Sequence, residues 1–315
     1  MKPEILVLGT LWTPDTRARL GELFHCHFLA DAAEGAGAAW LAAAGPGIRG
    51  VLTTGVIGLD CATLATLPAL EIVAVHGVGV DSVPRGALAA RGVLLTNTPD
   101  VLTDDVADLA VGLLLACVRR LPMLDRYVRS GQWEAKLPLA HARSLKGKVA
   151  GIVGFGRIGQ AVAERLVPFG LQIRYFQRSP GPQPERRSAS LLALARESDM
   201  LIVCTPGGAS THRLVDAEVL DALGPEGTLV NIARGSVVDE AALVAALESG
   251  RLGAAALDVF ENEPKVPQAL LGSDKVVLTP HVGSNTVESR RAMAALAVAN
   301  LAAHFRGEPL PTPVG

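Results

Sequence analysis

The sequence predicts an α/β fold with two Rossmann-like, doubly wound parallel-sheet domains and a cleft between them. Two observations support this prediction. A strand passes through a glycine-rich turn into a helix at residues 149–166, and strands alternate regularly with helices before and after it. Strands that alternate with helices pair in parallel through right-handed crossovers. The length of 315 residues and the apolar fraction of 49% suffice for two hydrophobic cores.

The glycine-rich turn is the most informative element. It reads Gly-Phe-Gly-Arg-Ile-Gly and follows an apolar strand. Gly154 permits the tight turn, Gly156 allows a pyrophosphate to approach the backbone, and Gly159 allows the helix to lie against the strand. The helix N-terminus then offers N–H groups and a positive dipole end. The flanking strand and helix favour a dinucleotide site over an ordinary glycine-rich βα turn.

The pattern from residue 149 onward is regular. Strands are predicted at 149–153, 172–176, 200–204, 228–232, 254–259 and 276–279. Helices are predicted from about residue 158 and at about 190–197, 216–223 and 239–248. The cofactor domain is therefore expected in the centre of the chain rather than at its N-terminus.

An earlier series of alternating strands and helices has no glycine fingerprint after its first strand. We therefore expect it to form a second α/β domain with a different function. Its strands are predicted near 5–8, 24–29, 50–53, 72–75 and 93–95. Residues 103–117 open with a cap residue and acids and then run apolar, which predicts a long helix buried on most faces. A homodimer contact on this helix is favoured over a purely interdomain role.

The segment after residue 282 is mostly one helix, at 288–305, which is too little to fold alone. We expect it to return to the first domain. Residues 1–98 with 285–315 are therefore predicted to form a discontinuous substrate-binding, catalytic domain, and residues 99–284 an NADP-binding Rossmann domain. Substrate would meet cofactor in the cleft, at the carboxyl ends of the parallel strands.

The composition argues against several classes of partner. The formal net charge is −2 and the arginine pairs are isolated, so neither nucleic acid nor a membrane surface is an expected partner. The N-terminal apolar run is too short for a signal peptide, and residues 109–118 fall below the ~20 residues of a spanning helix. A cytoplasmic location is therefore expected.

Cysteines and histidines give no sign of a disulfide or metal framework. The four cysteines are widely spaced in apolar segments, which predicts buried thiols in a reducing compartment. His25 and His27 share one face of a predicted strand, but no further ligand cluster lies near them in the sequence. A half-exposed strand is preferred over a metal site, and no metal is predicted.

Three segments at predicted strand ends carry ionisable side chains. Arg234 can grip a carboxylate or polarise a carbonyl oxygen, and Glu263 beside His281 would favour an imidazolium that holds a proton for that oxygen. Taken singly, Arg234 can be explained as part of a surface ion pair, Glu263 as an acidic residue in a turn, and His281 as an ordinary histidine at the end of a strand. Together, at successive carboxyl ends of a dinucleotide-binding sheet, they favour a hydride-transfer site.

The chain resembles the D-isomer-specific 2-hydroxyacid dehydrogenase family over essentially its full length. The motifs that carry the resemblance lie at residues 76–83, 154–159, 231–235, 257–264 and 279–281. The resemblance implies that Arg234, Glu263 and His281 bind substrate and deliver the proton, and that the amides of Val78 and Gly79 hold the substrate carboxylate. None of the catalytic positions is substituted, so nothing in the sequence indicates an inactive enzyme.

The cofactor preference is predicted from the end of the second strand of the cofactor domain. An NAD enzyme places an acid there, whereas this chain has Arg178 and Ser179, which suit a 2′-phosphate. NADP(H) is therefore preferred, with NAD(H) possible if Arg178 only stacks on adenine. The resemblance adds Asp258 at the nicotinamide end. The full set of predicted cofactor contacts is Gly154, Gly156, Arg157, Ile158, Gly159, Gln177, Arg178, Ser179, Thr205, Pro206, Ile232, Asp258 and Gly283.

Residues 177–179 and 131–139 resemble those of glyoxylate/hydroxypyruvate reductases. The predicted function is an NADPH-dependent 2-oxoacid reductase that gives a D-2-hydroxy acid, with a small molecule as its partner. Trp133 is expected either to shape a partner subunit's pocket or to pack at a helix end. The alternatives are a phosphoglycerate- or phenylpyruvate-type dehydrogenase, and a dinucleotide-sensing corepressor. The corepressor would need a peptide-docking surface or disordered tails, of which the sequence gives no indication.

Overall fold

The computed structural model of the chain describes residues 2–9, 12–29 and 37–315. The chain divides into two compact units, each with its own parallel sheet. Unit 1 comprises Met1–Leu102 and Asn285–Gly315, and unit 2 comprises Thr103–Ser284. The two predicted α/β domains with parallel sheets are thus confirmed, whereas the substrate and cofactor roles assigned to them stay predictions.

The sheet of unit 1 has the strand order β2-β1-β3-β4-β5, and every neighbouring pair is parallel. Its strands are β1 Glu4–Val7, β2 His25–Phe28, β3 Gly50–Thr54, β4 Ile72–His76 and β5 Leu94–Thr96. The interior strand β4 is buried along its whole length. Continuous apolar runs of this kind are typical of parallel strands that are covered on both faces.

Short helices connect these strands, and two of them have a side-chain N-cap. The helices are α1 Pro14–Leu23, α2 Gly37–Ala44, α3 Cys61–Ala65 and α4 Arg85–Ala90. Thr13 caps α1 by accepting the Thr16 N–H at 3.2 Å, and Asp60 caps α3 by accepting the Thr63 N–H at 2.6 Å. Such side-chain oxygens satisfy N–H groups that have no acceptor within the helix.

The sheet of unit 2 has the strand order β11-β10-β9-β8-β6-β7, again parallel throughout. Its strands are β6 Val149–Val153, β7 Gln172–Phe176, β8 Met200–Val203, β9 Thr228–Asn231, β10 Ala254–Leu257 and β11 Val276–Leu278. All six begin at the predicted residues, and the last four end one or two residues earlier than predicted. Strand β6 lies between β7 and β8, so the direction of winding reverses at β6.

The helices of unit 2 cover this sheet, and a final helix belongs to unit 1. They are α5 Thr103–Val118, α6 Leu121–Arg129, α7 Arg157–Leu166, α8 Leu191–Glu197, α9 Ala217–Leu223, α10 Glu240–Glu248, α11 Gln268–Leu271 and, in unit 1, α12 Val287–Arg306. Arg165 joins α7 to α5 through Asp108 at 2.5 Å and Asp104 at 2.8 Å. Eight of the sixteen residues of α5 are buried and only Asp104, Asp108 and Gly112 are exposed, which agrees with a long helix buried on most faces. A dimer contact on α5 stays a prediction.

The cysteines correct one expectation. Cys117 is buried, Cys26 and Cys204 are partly buried, and all four cysteines are free thiols. Cys61 is exposed, contrary to the prediction, because it is the first residue of the short helix α3 and lies on the outer side of its first turn. Within the described ranges, no helix combines the length and the apolarity that crossing a membrane requires.

Candidate active site

The glycine-rich turn lies at the carboxyl end of β6, where the winding of the unit 2 sheet reverses. Gly154 has φ +91°, and a Cβ on it would lie 2.8 Å from the backbone N and Cα of Thr205. A Cβ on Gly159 would collide with the carbonyl oxygen of Gly154. Both positions therefore require glycine for the close approach of β8 and of α7 to the turn.

The middle glycine of the turn, Gly156, faces open space. Gly156 is the N-cap of α7, and a Cβ on it would meet no atom within 4 Å. Arg157 and Ile158 form the first residues of the helix, whose initial N–H groups have no acceptor within the helix. This open helix N-terminus, reached over a residue without a side chain, fits a dinucleotide pyrophosphate.

The loop after β7 is anchored to the glycine turn. The Gln177 side-chain oxygen accepts the Phe155 N–H at 3.2 Å, and the Arg187 guanidinium donates to the backbone oxygens of Gln177 and Arg178 at 2.9 and 3.1 Å. The side chains of Arg178 and Ser179 are exposed. Arg187 therefore fixes the backbone that carries Arg178.

Arg234 follows β9 directly and is half-buried. Asn231 holds its backbone, because the Asn231 amide donates to the Arg234 carbonyl oxygen at 2.9 Å and accepts the Ala233 N–H at 3.1 Å. The next residue, Gly235, packs so closely on the backbone of Phe260 that no Cβ fits there. The segment after β9 is thereby pressed against the segment after β10.

Glu263 and His281 form a hydrogen-bonded pair. The Nδ1 atom of His281 lies 2.8 Å from Oε2 of Glu263, and Oε1 of Glu263 accepts the Phe260 N–H at 3.1 Å. His281 has φ +52°, a left-handed conformation that costs a non-glycine residue about 1 kcal/mol or more. The backbone N–H of His281 donates to the Asp258 carbonyl oxygen at 2.8 Å, and this bond holds the residue in the left-handed conformation.

The electrostatics keep Glu263 ionised. Burial alone would raise the pKa of this carboxyl, but the hydrogen bond from His281 and the charges of His281 and Arg234 outweigh it and lower the pKa below its usual value. The structure thus places an ionised carboxylate in hydrogen-bond contact with an imidazole and within electrostatic range of the Arg234 guanidinium.

Asp258 anchors the segment that carries His281. It is 1% exposed, and its carboxylate accepts the Thr279 hydroxyl at 2.6 Å and the N–H groups of Val282 and Gly283 at 2.9 Å each. The side chain therefore joins the ends of β10 and β11. Thr279 lies in the motif that identified His281, but its contact with Asp258 was not anticipated from the sequence.

Val78 and Gly79 lie in unit 1, in the loop after β4. Gly77 and Thr98 clamp the loop: the Gly77 N–H donates to the Thr98 hydroxyl and the Thr98 N–H donates to the Gly77 oxygen, both at 2.9 Å. Asn97 donates to the Val78 oxygen at 2.8 Å. Neither the Val78 nor the Gly79 amide donates to another residue of the described ranges, so both suit an anion.

The remaining predicted residues take various positions. Thr205 is half-buried and Pro206 exposed after β8, Ile232 is buried after β9, and Trp133 is 69% exposed just after α6. Unit 2 thus brings together the glycine turn, Gln177, Arg234, Asp258, Glu263, His281 and Gly283 along the carboxyl edge of one sheet. The Val78–Gly79 loop belongs to unit 1.

Comparison with known proteins agrees with this geometry. Residues 111–283 match the family described as D-isomer specific 2-hydroxyacid dehydrogenase, NAD binding domain. Hydroxyphenylpyruvate reductase of Plectranthus scutellarioides is 50% identical over 87% of this chain and 88% of its own length. Glyoxylate/hydroxypyruvate reductase A of Arabidopsis thaliana is 50% identical over 85% of each chain.

A solved structure extends the similarity to three dimensions. The NADPH-dependent glyoxylate/hydroxypyruvate reductase of Sinorhizobium meliloti, in complex with NADP and malonate, superposes with a TM-score of 0.90 at 43% identity. The alignment covers 100% of this chain and 97% of that one.

Proposed function

Because the chain belongs to the D-isomer specific 2-hydroxyacid dehydrogenase family and is thus an NAD(P)-dependent oxidoreductase, we propose that it reduces glyoxylate and hydroxypyruvate with NADPH. The observation that carries this proposal is the His281–Glu263 hydrogen bond at the carboxyl edge of a sheet whose glycine turn fits a dinucleotide. When bound, the reduced nicotinamide supplies a hydride to the carbonyl carbon of the substrate.

His281 is assigned proton delivery to the carbonyl oxygen. Its Nδ1 contacts Glu263 at 2.8 Å, so Nε2 is assigned the proton transfer. Glu263 stays ionised because its pKa is lowered, and its carboxylate holds the ring in place through the hydrogen bond. Asp258 is a positioning residue that fixes the backbone around His281 through the Thr279 hydroxyl and two amides.

Arg234 is assigned the binding of the 2-oxo acid. A guanidinium donates two parallel hydrogen bonds and suits both a carboxylate and a carbonyl oxygen that gains negative charge. The amides of Val78 and Gly79 are assigned to the substrate carboxylate. The Thr98 and Asn97 contacts hold the backbone of that loop, which reduces the entropy lost when an anion binds.

Arg178 is assigned to the cofactor 2′-phosphate. Its exposed guanidinium stands on a backbone held by Arg187, at the place where an NAD enzyme carries an acid. Arg178→Asp should therefore reduce kcat/KM with NADPH about 100-fold and leave kcat/KM with NADH nearly unchanged. Arg196→Asp, an equal charge change on α8, is the control. Equal losses with both cofactors in Arg178→Asp would contradict the assignment.

The substrate proposal is tested by following NADPH oxidation with hydroxypyruvate, glyoxylate, phenylpyruvate, hydroxyphenylpyruvate and phosphohydroxypyruvate. We expect the highest kcat/KM with hydroxypyruvate and glyoxylate. A higher value with the aromatic acids would instead indicate the phenylpyruvate-type alternative, and a higher value with the phosphorylated acid the phosphoglycerate type. Cofactor binding without turnover of any acid would indicate a sensor.

A further inference from the structure

We propose that Glu4, His25 and His27 form a binding site for a single Zn²⁺ ion on the sheet of unit 1. His25 and His27 are two residues apart on edge strand β2, so their side chains share one face. Glu4 begins β1 and is the register partner of His25, which places its carboxylate on the same face. The sequence alone did not supply this third ligand.

The three side chains already converge. The Glu4 carboxylate contacts Nδ1 of His25 through Oε1 at 2.8 Å and Nε2 of His27 through Oε2. The two imidazole rings stack with centroids 4.9 Å apart, and one ligand atom from each residue lies within 4.8 Å of the others. Within the described part of the chain, this is the one such group of three or more possible ligands.

The donor set favours Zn²⁺ over Mg²⁺ and Ca²⁺. Two imidazole nitrogens and one carboxylate oxygen form the three-ligand set of open zinc sites, whereas Mg²⁺ and Ca²⁺ prefer oxygen donors alone. Ligands at about 2.0–2.1 Å around a tetrahedral zinc lie about 3.3 Å apart. The present contact of 2.8 Å would therefore open by roughly half an ångström on binding.

The surroundings allow this movement on one side and restrict it on the other. The side chain of His25 is 64% exposed, so it can adjust and leaves a route for the ion. That of His27 is 21% exposed, and its ring packs at 5.1 Å from the ring of Trp40 in α2. The site is thus half pre-organised, with an aromatic wall on one side and solvent for the remaining coordination position.

The position of the site determines its expected effect. Glu4 and His25 are the first residues of their strands, so the site lies at the amino edge of the unit 1 sheet. The Gly77–Gly79 loop follows the opposite, carboxyl edge. Zinc should therefore stabilise the pairing of edge strand β2 with β1 and leave steady-state turnover unchanged.

The test is a calorimetric titration of metal-free full-length protein with ZnCl₂, repeated with His25→Asn, His27→Asn, Glu4→Gln and the double histidine variant. We expect the wild type to bind one more Zn²⁺ per chain than the double variant, and each single variant to bind at least about ten-fold more weakly. Zinc should raise the Tm of the wild type and not that of the double variant.

The matched control is His304→Asn. His304 lies in the same unit and contacts the Glu71 carboxylate at 2.9 Å, but it lacks a second histidine ligand. This variant should bind zinc as the wild type does. Affinity in the wild type should also fall as the pH is lowered from 7.5 to 5.5, because the metal competes with protons for the imidazoles.

An equal zinc stoichiometry in the wild type and the double variant would overturn the proposal, as would a loss of binding in His304→Asn equal to that in His27→Asn. Circular dichroism establishes that each variant is folded. If His27→Asn fails to fold, Glu4→Gln, which keeps the shape of the side chain, decides the question alone.

Discussion

Each unit carries a histidine at or just beyond the carboxyl end of a parallel strand, and the two are held in opposite ways. His76 ends β4 and is 6% exposed; its Nε2 lies 3.4 Å from the Arg290 carbonyl oxygen, and its ring meets Trp12 edge-on at 5.2 Å. His281 follows β11, its side chain is 29% exposed, and it contacts the Glu263 carboxylate.

The difference lies in the neighbours rather than in the place along the strand. Burial, assisted by the positive charge of Arg290, lowers the pKa of His76 to about 4. His76 therefore stays neutral and structural at neutral pH. His281 has an ionised carboxylate beside it and partial access to solvent. A carboxylate partner and exposure, not the strand end alone, make a histidine suitable for proton transfer.

The largest expected effect separates these roles directly. His281→Asn should reduce kcat for hydroxypyruvate reduction by about 10²–10⁴-fold, because an amide cannot deliver the proton. The control is His212→Asn, which replaces an exposed histidine of the same unit. Steady-state kinetics at pH 7 measure both variants. A loss of less than about ten-fold in His281→Asn would place the proton donor elsewhere.

The next effect concerns the stability of unit 1. The unfolded state takes up a proton on His76 near pH 6.5, whereas the folded state does so only near pH 4, so stability is lost as the pH falls between these values. We expect this histidine to contribute a fall of about 2 kcal/mol in the free energy of unfolding between pH 7 and pH 5. Urea unfolding at several pH values measures it.

His76→Phe is the variant that checks this contribution, because it keeps an aromatic ring against Trp12 and cannot titrate. The difference in unfolding free energy between pH 7 and pH 5 should be about 2 kcal/mol smaller in His76→Phe than in the wild type. His212→Gln, at an exposed position, should leave that difference unchanged. A wild-type pH dependence in His76→Phe would show that other groups cause it.

The sequence predicted those parts of the fold and site that depend on neighbours along the chain. The glycine turn, the starts of the strands in unit 2 and the motifs with Arg234, Glu263 and His281 are all local. A contiguous motif fixes which side chains follow a strand, and parallel pairing brings the strand ends to one edge. The direct contact between Glu263 and His281 agrees with the pairing expected from those motifs.

Contacts between distant segments were not predictable in this way. Thr98 meets Gly77 across 21 residues, and Arg187 meets Gln177 across 10. Glu4 reaches His27 across 23 residues because of the register between two strands. No local pattern encodes a register. From the sequence alone, Thr98 and Glu4 cannot be distinguished from other threonines and glutamates in strands or on the surface.

A smaller effect tests how Glu263 acts on His281. Glu263→Gln keeps the shape of the side chain but removes the negative charge that contacts the ring of His281, so kcat should fall about ten-fold. The control is Glu240→Gln, whose carboxylate accepts the Glu261 N–H. An equal loss in Glu240→Gln would show that the effect is not specific to the charge beside His281.

The smallest effect tests whether unit 1 acts through its backbone, in contrast to the side chains of unit 2. Thr98→Val removes the hydroxyl that accepts the Gly77 N–H, which should loosen the Val78–Gly79 loop and raise KM for hydroxypyruvate a few-fold at nearly constant kcat. Thr96→Val is the control, because Thr96 is equally buried but its hydroxyl donates to the Val73 carbonyl oxygen and not to the loop. If both variants raise KM equally, general loosening of unit 1 accounts for the change. If Thr98→Val alone lowers kcat and leaves KM unchanged, the loop contributes to the transition state rather than to carboxylate binding.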